Sequence, residues 1–170
     1  MRERPRSASV DLGGEVAAGD GALRLLALVF GVAGGVLLTV AEFTTIASVD
    51  VAAGACDVIN DSDPALADRC SLSGFERHGG AFLVLGVAAV AMAVGATRGG
   101  SRPAGVACIA IAIVVLALSL LRDLPEAGET GAIGMRYEAA SGEAGPGLYL
   151  EIVAGLFLAA GGALALVRRR

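Results

Sequence analysis

A chain of 170 residues with 55% hydrophobic residues, 25 glycines and a mean hydropathy of +0.72 carries too much apolar surface for a water-soluble fold. Its net charge is −4 and all 13 basic residues are arginine, placed as short flanks without interleaved aromatics, which excludes a nucleic-acid interface. What remains is a membrane protein. Four apolar runs, 25–46, 79–97, 103–121 and 148–167, are each close to the ~20 residues a helix needs to cross hydrocarbon. Any non-helical backbone there would leave polar groups unsatisfied in lipid. The predicted fold class is an all-α integral membrane protein, a four-transmembrane-helix bundle formed by residues 23–170.

The first segment, residues 1–22, is polar and rich in Gly and Ser, and is expected to be a disordered cytoplasmic tail. A docking or phosphorylation role for Ser7 or Ser9 is a weaker reading than a solvated tail. Nine arginines flank one side of the spans, at 2, 4, 6, 24, 98, 102 and 168–170, against four at 69, 77, 122 and 136. The positive-inside rule therefore places both termini in the cytoplasm. The tail is too long, and the first apolar run too extended, for a cleaved signal peptide. A lipoprotein reading of AAGAC before Cys56 is weakened by Ala53 and Asp50.

The first span, 25–46, contains Glu42 near its outer end. Gly31, Gly35, Leu38, Glu42 and Thr45 share one helical stripe, and the small residues on it favour close helix packing.

The first outer loop, 47–78, follows. SVDV alternates like a short strand, and Asp63-Pro64 predicts the start of a short helix running to about Cys70. Cys56 and Cys70 are the only cysteines on the outer, oxidising side, and a structural disulfide between them is expected to contribute ~3 kcal/mol. Asp57, Asp61 and Asp63 lack the glycine and terminal glutamate of a calcium loop, and the NDS acceptor pattern at Asn60 reads as chance in an Ala/Gly/Arg-rich bacterial sequence. Arg77 and the single histidine, His78, sit at the start of the second span.

The second span (79–97), a short basic turn and the third span (103–121) follow. Cys108 lies mid-span and is expected to act as a small apolar residue. No C-x-x-C pair is present, so thiol redox chemistry is not expected. The second outer loop, 122–147, opens with Arg122 and carries five carboxylates among many glycines, predicting a flexible acidic cover.

The fourth span, 148–167, brings Glu151 onto a stripe with Gly147, Gly155 and Gly162. Glu42 and Glu151 each lie three or four residues inside the outer edge, about 5–6 Å deep at 1.5 Å per residue. They are expected to face each other in an intramembrane polar cluster with Arg122, Arg77 and His78, with Arg122 between the two carboxylates.

Four spans, cytoplasmic termini and a cysteine-bridged first outer loop resemble the topology of claudin-type proteins, although the aromatic signature of that family is missing, since the chain has no tryptophan. Tetraspanins carry their cysteine motif in the second outer loop, which here has none. The sequence is also similar to small four-span membrane proteins of high-GC bacteria, through ERHG (76–79), DLP (123–125) and YLE (149–151). That resemblance implies a multi-pass plasma-membrane location and no activity. The sequence thus predicts a non-enzymatic structural or interaction component of the bacterial cell envelope. The alternative is a small transporter, channel or transporter subunit with a proton or cation site at Glu42 and Glu151. No catalytic residue, cofactor or metal is expected. The expected partners are the lipid bilayer and another membrane or envelope protein, with the oligomeric state left open.

Overall fold

In a computed structural model, residues 12–51, 70–135 and 137–167 are described, with only the backbone for 12–20. Cys56, the expected helix from Pro64 and the acidic residues 57–63 lie outside the described residues. The molecule is mostly helical, and four helices are long and apolar enough to cross a membrane.

Helix α1 runs Leu12–Ala41, α3 Ala81–Arg98, α4 Arg102–Leu118 and α7 Pro146–Val167. Among the described residues, three short helices, α2 (Gly74–His78), α5 (Leu124–Ala127) and α6 (Gly131–Gly134), and three strands, β1 (Thr45–Asp50), β2 (Ser71–Ser73) and β3 (Ser141–Ala144), gather at one end of the bundle. Its surface is the inverse of a soluble protein's. Val84 is 64% exposed, Ile113 62% and Leu156 55%, while the interior is filled by Ala89, Ala112, Ala154, Leu38, Phe82, Val115 and Leu158. Large apolar side chains facing outward, over an interior in which alanine and glycine alternate with a few larger apolar residues, fit a lipid solvent, where helices associate by close backbone packing.

Glycine makes that approach, though not as the sequence stripes imply. A Cβ on Gly31 would fall 2.5 Å from that of Ala93, and one on Gly35 would fall 2.7 Å from the Gly86 carbonyl. Both face α3. Gly155 and Gly162 press instead on Leu116 and Ile109 of α4. The contact between α1 and α7 is carried by Gly34, against Ala154 and Leu158, and by Gly161, against Ala27 and Gly31.

Several boundaries differ from expectation. Helix α1 begins at Leu12, so residues 12–22 of the expected disordered tail are helical. It also ends at Ala41, short of the expected 46. There Phe43 and Thr44 donate backbone N–H bonds to Val40 and Ala41, and the Thr44 hydroxyl caps the Ala41 carbonyl at 2.9 Å. The β-branched run Thr44-Thr45-Ile46 then favours strand over helix.

The sheet order is β2-β1-β3, with both pairs antiparallel. β1 includes most of the expected SVDV strand. The second connecting segment is not a loose cover. Ala144 pairs with Ala47 and Ser141 with Asp50, while Ile133 packs with Val49, Val51 and Cys70 beneath the sheet. The third spanning helix also overruns its expected end at 121, because a π-helical turn, Ser119–Asp123, carries it into α5 without a break.

Candidate functional site

The buried polar side chains among the described residues are Glu42, Thr97, Ser119, Asp123 and Glu151. Thr97 satisfies itself by donating to the Ala93 carbonyl at 2.8 Å. The other four belong to the sheet end of the bundle, where segments far apart in sequence converge.

The first partner arrives on α2. Ser73 and Glu76 form a reciprocal capping box: the Ser73 amide donates to Glu76 Oε2 at 2.8 Å, and the Glu76 amide donates to Ser73 Oγ at 3.3 Å. The Ser73 amide and hydroxyl hold Glu76 below the ordinary carboxylate range. Gly74 opens this helix because any Cβ there would meet the Glu42 backbone at 2.6 Å. Gly79 (φ +61°) and Gly80 (φ +86°) then turn the chain into α3 through left-handed backbone that glycine adopts without strain. This short turn of helix, pinned onto the end of α1, delivers Arg77 and His78 to the interior.

Arg77 Nε donates to Asp123 Oδ1 at 2.8 Å, and its terminal nitrogen pairs with Glu126 at 2.5 Å. Burial acts to lower the Arg77 pKa, but the hydrogen bonds it donates to Asp123 and Glu126, with their charges, outweigh it and hold the guanidinium above its usual range. His78 stacks on Phe82 with ring centroids 4.0 Å apart. Its Nε2 lies 3.2 Å from Glu151 Oε1 and 3.8 Å from Asp123 Oδ2. Glu151 takes a second bond from Ser119 Oγ at 2.9 Å through Oε2. Ser119 and Asp123 both belong to the π-helical turn, whose Leu124 amide reaches back to the Ser119 carbonyl. Such turns occur frequently at functional sites.

Glu42 is fully buried, and neither of its carboxylate oxygens has a hydrogen-bond partner. The backbone amides of Gly80 and Phe82 act on it electrostatically without closing a bond of normal geometry, as do His78 and Glu151. Asp123 Oδ2 is likewise buried without a partner.

No family model, curated protein or solved structure matches this chain. The site therefore has to be read from its own atoms.

Four of the five residues expected in the cluster, Glu42, Glu151, Arg77 and His78, come together. Arg122 does not. Its side chain is 65% exposed and faces only Glu126 at 3.6 Å, because the helix turns its neighbour Asp123 inward in its place. Glu42 also stands in the turn after α1 and not within a spanning helix. Sequence reasoning missed Ser119 and Asp123. The signal for them was present: Ala104, Cys108, Ala112, Val115, Ser119 and Asp123 follow one three-or-four-residue stripe, and all are buried. Cys108 is free and buried on that stripe, as a small apolar residue would be. Cys70 is 1% exposed, and its carbonyl accepts from the Val49 amide at 2.8 Å.

Proposed function

We propose that this chain is a non-enzymatic integral membrane protein of the bacterial plasma membrane, acting as a structural or interaction component of the cell envelope. The observation that carries the reading is the gathering of the buried ionisable side chains, among the described residues, at one end of the bundle. From the Glu42–His78–Glu151 level to Thr97 near the opposite end, the described interior holds only apolar side chains and glycine. A substrate path needs polar lining along its length, and these helices are unbroken across that stretch. The cluster instead ties α2, the end of the third span and α7 to one another, which fixes how the sheet stands on the bundle.

The arginine bias places both termini in the cytoplasm and the sheet outside. In that oxidising compartment Cys70 and Cys56 form the disulfide that the sequence leads one to expect. Among the described residues, strands β2 and β3 are the sheet's edges, and strand addition at a sheet edge is a common mode of partner capture. The partner is another membrane or envelope protein, met at this outer layer. Mild crosslinking and co-purification from native membranes tests the reading. A stoichiometric protein partner is expected. A chain that purifies alone and conducts a proton-linked flux in liposomes would replace this function with transport.

A further inference from the structure

We propose that His78, Asp123 and Glu151 form a binding site for a divalent transition-metal ion of the zinc type, held at the junction of the sheet and the helical bundle. One donor atom from each residue lies within 4.8 Å of the others. Ligands about 2.0–2.2 Å from a zinc ion stand roughly 3–4 Å from one another, and the His78 contacts of 3.2 Å and 3.8 Å fall in that range. The division of labour within each carboxylate is the stronger sign. Asp123 gives Oδ1 to Arg77 and turns Oδ2 toward Nε2 of His78. Glu151 gives Oε2 to Ser119 and turns Oε1 toward the same nitrogen. Each carboxylate is thus oriented by one bond and leaves its other oxygen for a shared point. Metal sites are built this way, with outer partners fixing the ligands.

A proton serves this arrangement less well. If Nε2 carries one, it is donated to Glu151 at 3.2 Å, and Asp123 Oδ2 remains buried without a partner. An unpartnered buried carboxylate oxygen is costly. A cation seated among the three atoms satisfies all of them at once. Glu42, fully buried with neither oxygen hydrogen-bonded, lies within electrostatic reach of His78 and Glu151 beside the same point. The one guanidinium, Arg77, is already shared between Asp123 and Glu126, which leaves Glu151 Oε1 and the second Asp123 oxygen facing His78 alone. An imidazole nitrogen with two carboxylate oxygens matches a borderline ion such as zinc better than calcium or magnesium, which prefer all-oxygen shells. Asp123 also lines a cavity of about 70 Å³ on the sheet side, with Leu72, Arg77 and Glu126. The ion would pin α2, the third span and α7 at one point, whether or not the sheet binds a partner.

The test uses the full-length protein in detergent, stripped with a chelator, titrated with zinc chloride and desalted before elemental analysis. Stoichiometric zinc retention and a melting temperature that rises with zinc concentration are expected. His78→Gln and Glu151→Gln should each weaken zinc binding about 100-fold, and Ser119→Ala, which touches no ligand atom of the ion, about 10-fold. If either ligand variant fails to fold, the wild-type titration and Ser119→Ala still decide. A wild-type protein that retains no zinc and does not change its melting temperature overturns the proposal. So does zinc retention that all three variants share, since that places the ion elsewhere.

Discussion

Arg122 and Asp123 are adjacent in sequence and opposite in surroundings. The arginine is 65% exposed beside a half-exposed Glu126, while the Asp123 side chain is fully buried against Arg77. An exposed ion pair in high dielectric is worth little, whereas removing one partner of a buried pair leaves an uncompensated charge. Arg122→Ala is therefore expected to shift stability by under about 0.5 kcal/mol. Asp123→Ala should cost roughly 3 kcal/mol, tempered by the second contact of Arg77 with Glu126. Thermal unfolding of the two variants in the same detergent checks this, and equal losses would return Arg122 to the cluster. The buried glutamates were legible because a charge inside an apolar run stands out. Asp123 was not, because beyond the end of such a run an acidic residue looks like any loop carboxylate.

Helix α2 shows how a five-residue element can place a site. It is too short to persist alone, since helix nucleation is unfavourable and few backbone bonds repay it. Its Ser73–Glu76 box, the close seat of Gly74 on Glu42 and the glycine pair behind it supply what length does not. Replacing Ser73 by alanine is expected to cost about 1 kcal/mol, the usual value of an N-cap. The cap should also depend on pH. Because Glu76 is held below its unfolded value, near 4.5, its stabilisation is present above that value and is lost as pH falls through the lower folded value. Hydrogen exchange at the α2 amides should accelerate at acid pH in the wild type, beyond the intrinsic change, and Ser73→Ala should remove that excess. Strand β3 carries the opposite lesson. Ser-Gly-Glu-Ala has little intrinsic strand preference, and only the edge of β1 makes it one.

At the scale of the molecule, the described residues form a helical bundle with large apolar side chains on its outside and a polar cluster and sheet at one end. Thiol labelling of intact cells tests its orientation and its staple together. A cysteine placed at Glu143, exposed on β3, should react with an impermeant reagent, and one at Ser101, in the turn between α3 and α4, should not. Cys70 should stay protected from alkylation in the unfolded protein until reductant is added. Reaction at Ser101 would invert the topology, and an unreduced but reactive Cys70 would remove the disulfide.

The number and approximate position of the helices apolar enough to span a membrane were legible in the sequence alone, because the length of an apolar run is a local property. The ends of those spans were not. Whether Glu42 continues a helix or leaves it depends on β1 finding β2 and β3, which come from later in the chain. The composition of the cluster was likewise a tertiary outcome. Depth along a helix can be counted from sequence, but which atoms meet depends on how each helix is rotated about its axis. Here that rotation is set by Gly34 and Gly161 between α1 and α7, and by the π-helical turn that sends Asp123 inward and Arg122 out.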